Sequence, residues 1–471
     1  MSREQLVVIG AGPGGYAAAF LAADLGLPVT LVDPEPDPGG VCLYRGCIPS
    51  KALLHAANVI EQSRRAADWG VRFAAPEIDL DRLRSWKDEV VGKLTGGLGS
   101  LRKQRKIDYI RGRARFSDAT SLTIETTSGE TRSMGFGHAI VSTGSGPARL
   151  RDFPQAGNRV LDSTSALDLR EVPGRLLVVG GGYIGLELGS VYAALGSRVT
   201  VVEMLDGLLP GVDRDLVRPL AQKLQREFEA VLTGTSVAGA EERNDGLAVT
   251  LEGAGAREGE QLFDQVLVSI GRRPNSDGLG LEKTDVELDG DGFIRVDSRM
   301  QTAEPSIFAI GDVVGQPMLA HKASHEGRTA VEAIAGRKVA FEPAAIPAVV
   351  FTDPEVAWCG LTEAEARAQG REVGVARFPW AASGRAATLG RGDGLTKLLL
   401  EPGTERLLGV GITGAGAGEL IAEGVLAVEM AATASDLKLS IHPHPTLSET
   451  VMEAAEVFFG QSTHVYRPKR G

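Results

Sequence analysis

One supersecondary pattern occurs twice in this chain. Residues 6–33 read LVVIGAGPGGYAAAFLAADLGLPVTLVD, and residues 176–203 read LLVVGGGYIGLELGSVYAALGSRVTVVE. Each segment predicts an apolar strand, a glycine-rich turn, a helix of small residues and a second strand that ends in a carboxylate. Because one such unit builds the core of a nucleotide-binding domain, its repetition predicts an α/β protein with two Rossmann-like domains.

The glycines in both segments have the G-x-G-x-x-G spacing. This spacing gives a tight turn, a close approach of the backbone to a pyrophosphate, and close packing of helix on strand. A single copy could be a glycine-rich turn of an unrelated fold, but here the strand, helix and carboxylate recur in the same places. The six glycines are Gly10, Gly12, Gly15, Gly180, Gly182 and Gly185.

The carboxylates that end the two units, Asp33 and Glu203, are predicted to accept hydrogen bonds from ribose hydroxyls. Glu203 also bears on the choice of cofactor, because a carboxylate there repels the 2'-phosphate of NADP. The residues that follow it, Met204, Leu205 and Asp206, supply no positive charge. The second site is therefore predicted to prefer NAD.

At 471 residues the chain exceeds the roughly 250 to 300 residues that a single core usually supports. We expect the two nucleotide-binding domains at 1–150 and 151–275, a central segment at 276–345, and a C-terminal α+β domain at 346–471. Residues 50–106 are charged and look helical, and the glycines from 409 to 418 predict a turn.

Composition excludes several classes of protein. The net charge of −11, without a run of Lys and Arg, argues against nucleic acid as a partner. No apolar run reaches the roughly 20 residues that span a bilayer, and the start of the chain has no export signal. A cytoplasmic location is therefore the default, and in that reducing compartment the three cysteines are not expected to form structural disulfides.

Cys42 and Cys47 lie close together in GGVCLYRGCIPSK, residues 39–51. Two sulfurs at this spacing can form a local disulfide where a helix begins, and a helix N-terminus favours the reactive thiolate. A zinc site would need about four ligands, yet no other Cys or His occurs in this segment before His55. The pair therefore indicates redox chemistry, and no metal site is predicted.

Taken together, the motifs resemble the flavin disulfide reductases. GAGPGG, GGVCLYRGCIPSK, STGS, GGGYIGLE, GRRPN, IFAIGD and HPTLSE follow one another in the expected order over the whole chain. HPTLSE in the tail favours the dihydrolipoamide dehydrogenase branch of that family. Glutathione reductases would have basic residues after the second fingerprint, where this chain has Met204, Leu205 and Asp206. Mercuric reductases would have cysteines near the C-terminus, and residues 460–471 contain none.

This resemblance implies two cofactors, with FAD in the first domain and NAD in the second. It assigns Lys51 to the neighbourhood of the flavin ring, paired with Glu187, and Gly271 to the NAD site. The central segment would complete the flavin site. The remaining residues that the resemblance assigns to FAD are Thr143, Gly144, Ser145, Asp312, Met318 and Ala320.

The resemblance also implies the catalytic roles. Cys42 would exchange with the substrate, Cys47 would contact the flavin, and His444 would be the base, oriented by Glu449. Glu449 also fits a helix-capping box with Thr446, and both roles can coexist. His442 is the weaker candidate for the base and is expected to pack or to hydrogen-bond locally.

In this family the C-terminal domain completes the site of a second subunit, which implies a homodimer. The expected reaction is oxidation of dihydrolipoyl groups carried by another chain, either the acyltransferase core of a 2-oxo acid dehydrogenase complex or the lipoyl protein of glycine cleavage. A flavoprotein that senses redox state with little turnover is the alternative from another class. The presence of all six catalytic candidates argues against it, because a non-catalytic protein has no chemical need for them. These are Cys42, Cys47, Lys51, Glu187, His444 and Glu449.

Overall fold

The structure is a computed structural model, and it describes residues 5–150, 153, 159–256 and 259–466. The first residues of the chain, on which the prediction of no export signal depends, lie partly outside this description.

The strands up to the middle of the chain are β1 (Leu6–Ile9), β2 (Val29–Asp33), β3 (Asp108–Asp118), β4 (Ser121–Thr126), β5 (Thr131–Gly135), β6 (His138–Val141), β7 (Ser145–Pro147), β8 (Val160–Leu161), β9 (Arg175–Val179), β10 (Arg198–Glu203) and β11 (Ala230–Thr233). They are followed by β12 (Thr235–Arg243), β13 (Gly246–Gly253), β14 (Glu260–Phe263), β15 (Gln265–Val268), β16 (Arg272–Pro274), β17 (Ile307–Ala309), β18 (Ala348–Val350), β19 (Glu355–Gly360), β20 (Gly374–Pro379), β21 (Leu395–Leu400) and β22 (Leu407–Gly414).

The α-helices are α1 (Pro13–Asp24), α2 (Gly40–Arg45), α3 (Cys47–Arg65), α4 (Leu80–Gln104), α5 (Tyr183–Leu195), α6 (Arg214–Glu227), α7 (Ala320–Ile334), α8 (Glu363–Ala368), α9 (Gly384–Thr388), α10 (Ala417–Glu429), α11 (Ala434–Leu439) and α12 (Glu449–Phe458). Within the ranges that the structure describes, no helix is both long enough and apolar enough to span a bilayer.

The first fingerprint lies in a sheet with the strand order β17-β6-β1-β2-β3-β4-β5. Its central strands pair in parallel, with β1 between β2 and β6. The edge strand is β17, which comes from the central segment after the second nucleotide-binding unit. The chain therefore returns to the first sheet, and this return brings the loop after β17 to the first fingerprint.

The second fingerprint lies in a separate parallel sheet with the order β11-β10-β9-β15-β8. Strand β9, helix α5 and strand β10 repeat the arrangement of β1, α1 and β2, and both sheets are buried on the strands that carry the fingerprints. The predicted fold class, α/β with two Rossmann-like domains, is confirmed.

The C-terminal region forms an antiparallel sheet with the order β18-β19-β22-β21-β20, packed against α10 and α12. The prediction of a turn at 409–418 was wrong for its first half, because 407–414 is the fully buried strand β22. Its glycines meet close neighbours: a Cβ on Gly409 would lie 2.0 Å from the Leu361 carbonyl, and one on Gly411 would lie 2.3 Å from Leu216. These glycines serve packing rather than a turn.

The helical stretch predicted for 50–106 is interrupted. Helix α3 ends at Arg65, a 3-10 turn covers Ala66–Trp69, and α4 begins at Leu80. Gly70 adopts a left-handed conformation with φ of 87°, which ends the turn, and Asp79 caps α4 by accepting from the amide of Arg82.

An ionic cluster joins the second nucleotide-binding unit to the C-terminal sheet. Lys397 of β21, only 1% exposed, lies 2.8 Å from Asp213 and 3.0 Å from Asp215, and it also contacts Glu363. Its ammonium occupies the space among these three carboxylates, whose ligand atoms are otherwise close enough to hold a metal ion. The cluster is therefore a contact between domains.

Candidate active site

A cavity of about 600 Å³ lies between the first sheet, the start of α3 and the start of α5. It brings together residues that are far apart in sequence. The predicted site residues that line it are Gly10, Gly12, Asp33, Cys42, Cys47, Lys51, Thr143, Gly144, Ser145, Glu187, Asp312, Met318 and Ala320.

Other predicted residues do not line this cavity. They belong to the second nucleotide-binding unit, to the GRRPN segment and to the tail, apart from Gly15, which is packed beneath the first turn. They are Gly15, Gly180, Gly182, Gly185, Glu203, Gly271, His444 and Glu449.

The glycines of each fingerprint serve two purposes: some allow close packing of the backbone, and others leave space for a ligand to approach it. A Cβ on Gly15 would lie 1.9 Å from the carbonyl oxygen of Gly10, and one on Gly185 would lie 2.4 Å from that of Gly180. By contrast, a Cβ on Gly182 would meet nothing within 4 Å. Gly12 and Gly182 are also the N-caps of α1 and α5, so open space lies where backbone amides favour an anion. This arrangement fits a dinucleotide pyrophosphate at both turns.

The carboxylates that end β2 and β10 hold their own glycine turns. Asp33 accepts from the amides of Ala11 at 2.7 Å and Glu35 at 2.9 Å, and burial raises the pKa of this carboxyl. Glu203 accepts from the amides of Gly181 at 2.7 Å and Leu205 at 2.8 Å. Each carboxylate oxygen can accept a further bond, so this structural role leaves capacity for a ribose hydroxyl.

Cys42 lies on α2, and Cys47 is the first residue of α3. Both are free thiols in this structure. The Cys42 thiol donates a hydrogen bond to Cys47, which lowers the pKa of the Cys47 thiol to about 7 against the effect of burial, and the Lys51 ammonium lowers it further. The same bond and burial raise the pKa of Cys42. The pair is therefore arranged so that Cys47 becomes the thiolate first.

Lys51 and Glu187 form an ion pair on the wall of the cavity. The Lys51 Nζ lies 2.7 Å from Glu187 Oε2, and Glu187 is only 3% exposed. Phe351 contributes to both partners: its amide donates to Glu187 Oε1 at 2.9 Å, and its ring centroid lies 4.5 Å from Lys51 Nζ. The pair was predicted, whereas no sequence signal pointed to Phe351.

Asp312 meets the STGS segment at the cavity. The Ser145 hydroxyl donates to Asp312, and Arg272 donates to the Ser145 hydroxyl and carbonyl, each at 2.7 Å. Thr143 and Asn275 exchange two further bonds, at 2.8 and 2.9 Å. The GRRPN segment therefore anchors the first cofactor site, although sequence reasoning connected that motif only with NAD.

A buried pair on α7 supports the loop after β17. Glu326 accepts from the Gly311 amide at 2.7 Å and lies 2.7 Å from Lys322 Nζ. Both side chains are nearly inaccessible, at 2% and 7% exposure. This pair fixes the backbone next to Asp312, and it was not predicted.

His444 contacts Glu449, the first residue of α12. Its Nδ1 lies 2.9 Å from Glu449 Oε1, while Glu449 Oε2 accepts from the Thr446 amide at 2.8 Å. Glu449 therefore contacts the imidazole, as predicted, and also the backbone just before the helix. The predicted capping box with Thr446 is not formed, because the N-cap of α12 is Ser448, whose side chain makes no capping hydrogen bond. The His444 side chain is 75% exposed, so its other nitrogen, Nε2, is available to a group outside this chain.

His442 makes local contacts. Its Nε2 lies 2.8 Å from Glu423 and its Nδ1 lies 2.9 Å from the Ser440 carbonyl, and its side chain is 7% exposed. Because both ring nitrogens are engaged, His442 is a poor candidate for a base.

Several large apolar side chains are exposed on the C-terminal region. Monomeric proteins rarely expose groups of large apolar side chains, and such groups indicate an interface. The residues are Leu426, Met430, Leu439, Ile441 and Tyr466, with exposures from 64% to 99%.

Comparison with known proteins shows which family has this arrangement. The family model of pyridine nucleotide-disulphide oxidoreductases matches residues 4–327, and the model of their dimerisation domain matches residues 346–455. The chain belongs to the pyridine nucleotide-disulphide oxidoreductase family. It is an oxidoreductase, and the cofactors of the family, FAD and NAD, are those that the sequence predicts.

Curated relatives match this oxidoreductase over its whole length. Dihydrolipoyl dehydrogenase from Vibrio cholerae is 48% identical, with 100% of this chain and 99% of the relative covered. Dihydrolipoyl dehydrogenase from Thermus scotoductus is 50% identical, with 99% of each covered.

Solved structures share the fold. LpdA from Mycobacterium tuberculosis has a TM-score of 0.89 and is 27% identical, with 96% of this chain and 99% of that chain covered. The HOCl-induced flavoprotein disulfide reductase RclA from Escherichia coli has a TM-score of 0.85, the same identity and the same coverage.

Proposed function

We propose that this oxidoreductase is a dihydrolipoyl dehydrogenase, which oxidises protein-bound dihydrolipoyl groups to lipoyl groups and reduces NAD to NADH. The observation that carries the proposal is the cysteine pair on the wall of the cavity that the Lys51–Glu187 ion pair also lines. The full-length similarity to curated dihydrolipoyl dehydrogenases, at 48% to 50% identity, favours this substrate over those of other disulfide reductases.

The chemistry of the protein groups is thiol–disulfide exchange. His444 of the partner subunit takes a proton from one dihydrolipoyl thiol, and the thiolate attacks Cys42 of the oxidised Cys42–Cys47 pair. Cys47 leaves as a thiolate, which its low pKa favours. The second dihydrolipoyl thiol then displaces Cys42, so the substrate leaves as a disulfide and the two electrons remain on the cysteine pair.

Bound FAD would supply the two-electron acceptor that connects this dithiol with NAD. Asp312, Ser145 and the first glycine turn would hold it, and the Lys51 ammonium would lie close to its ring. The second glycine turn, at the N-terminus of α5, and Glu203 would hold NAD.

The proposal also covers the partners of the enzyme. Two chains would pair through the C-terminal region, which places His444 of one subunit at the cysteines of the other. The apolar side chains exposed on the C-terminal region and the match to the dimerisation domain support this pairing. The lipoyl groups would be carried by the acyltransferase core of a 2-oxo acid dehydrogenase complex or by the lipoyl protein of glycine cleavage.

The domain division at 1–150, 151–275, 276–345 and 346–471 assigns FAD to the first domain, NAD to the second, completion of the FAD site to the third and pairing to the last. We retain it as part of the same proposal. A cytosolic location is included too, because two of the three cysteines are assigned to redox exchange and none to a structural disulfide.

Steady-state turnover tests both substrates of the proposal. The purified flavoprotein should reduce NAD with dihydrolipoamide, and kcat/KM for NADP should be lower by roughly two orders of magnitude or more because Glu203 repels the 2'-phosphate. The control replaces dihydrolipoamide with reduced glutathione, which should support little turnover. Comparable efficiency with NAD and NADP would contradict the role of Glu203, and the absence of turnover with dihydrolipoamide would contradict the proposed substrate.

A further inference from the structure

The partly buried carboxylate of Asp353 lies where three parts of the chain meet. Arg65 of α3, Lys223 of α6 and Arg391 of the C-terminal region reach it at 2.7, 2.6 and 2.6 Å. The Asp353 side chain is 14% exposed, so water screens these pairs only in part. One side chain therefore ties together the first nucleotide-binding unit, the second unit and the C-terminal sheet.

The charges around Asp353 are balanced by other carboxylates. Glu227 lies 3.5 Å from Lys223, and Asp393 lies 3.2 Å from Arg391. Each of these contacts only one of the cations, whereas Asp353 contacts all of them. With the cations compensated in this way, the cluster is a structural junction rather than an anion-binding site.

Two residues before Asp353, the same segment contacts the Lys51–Glu187 pair on the cavity wall. The amide of Phe351 holds Glu187 and its ring lies beneath the Lys51 ammonium, as described above. The adjacent Val350 packs in the same apolar cluster as Leu53 of α3. The position of this segment therefore sets where the Lys51–Glu187 pair lies relative to the cysteines.

We propose that Asp353 is a positioning residue of the active site. By binding Arg65, Lys223 and Arg391 together, it fixes the segment whose Phe351 holds Lys51 and Glu187 beside Cys47. The packing of the domains is thereby coupled to the charge next to the redox-active sulfur. This inference rests on the proposed function only for the role of Cys47, and its test does not depend on lipoamide turnover.

The test measures the Cys47 thiolate in the holoenzyme by its long-wavelength absorbance against the flavin, as a function of pH. A Cys42→Ser background prevents the disulfide, so that Cys47 titrates alone. Adding Asp353→Asn loosens Lys51 and weakens its support of the thiolate, so the midpoint should rise by roughly 0.5 pH unit. Adding Lys51→Gln instead removes the charge and should raise it by about one unit or more.

Asp393→Asn is the matched control, because it removes a carboxylate from Arg391 alone and from a side chain that is 47% exposed. It should leave the midpoint unchanged. An unchanged midpoint in Asp353→Asn, with only a lower melting temperature, would overturn the proposal and leave Asp353 a stability residue. If Asp353→Asn does not fold, Arg65→Gln is measured in its place in the same Cys42→Ser background. A rise of the midpoint smaller than that expected for Asp353→Asn supports the proposal, and an unchanged midpoint overturns it.

Discussion

Cys42→Ser should bind FAD and NAD like the parent protein and yet lose dihydrolipoamide oxidation by roughly 10³-fold or more. The reason is that Cys47 alone cannot form the disulfide that accepts two electrons from a dithiol. Steady-state turnover with dihydrolipoamide measures the loss, and flavin absorbance measures cofactor binding.

The control for this variant is Cys359→Ala. Cys359 is 1% exposed in the core of the C-terminal sheet, and burial raises the pKa of its thiol to about 12, so it is not available for exchange. This variant should retain turnover. Substantial dihydrolipoamide oxidation by Cys42→Ser would show that Cys42 is not the exchanging sulfur.

His444→Ala should lower dihydrolipoamide oxidation by about 10² to 10⁴-fold while NADH still reduces the bound flavin. Without the base, the substrate thiol with an ordinary pKa near 8.5 stays largely protonated at neutral pH. Comparing the two half-reactions by stopped-flow absorbance separates the loss. His442→Gln is the matched control, because its ring is already held by Glu423 and Ser440, and it should keep most of the activity.

Hybrid dimers test whether His444 acts across the subunit boundary. A subunit with His444→Ala keeps Cys42, and a subunit with Cys42→Ser keeps His444, so their hybrid contains one complete site. Random mixing of the two inactive variants should restore about a quarter of the parent activity. If mixing restores nothing although hybrids form, His444 does not act across the subunit boundary.

The parts of the fold that follow from local patterns could be predicted. The repeated strand, glycine turn and helix have a period and spacing that only a few structures satisfy. Glu187 lies in the second of these units, and Lys51 lies in the cysteine motif at the start of α3. The structure shows that Asp33 and Glu203 also accept hydrogen bonds from the backbone amides of their own glycine turns. The sequence does not distinguish this role from ribose binding, because a carboxylate at this position serves both.

The parts that depend on contacts between distant segments could not be predicted. Strand β22 has the glycine content of a turn, and only its neighbours Leu361 and Leu216 explain why side chains are excluded there. Phe351 contacts Lys51 and Glu187 because its segment packs against α3 and α5, and no motif contains it. Glu326 and Lys322 form a buried pair on α7 that resembles an ordinary surface pair in sequence.

The central claim is that Cys47 lies against a flavin as the thiolate of a reduced pair, and anaerobic titration of the purified holoenzyme with dihydrolipoamide tests it most directly. Long-wavelength absorbance from the thiolate and flavin should appear as two electrons enter, and it should fade as the pH falls through about 7, where Cys47 gains a proton. Cys47→Ser should abolish it. Reduction of the flavin without this absorbance, or its persistence in Cys47→Ser, would contradict the account.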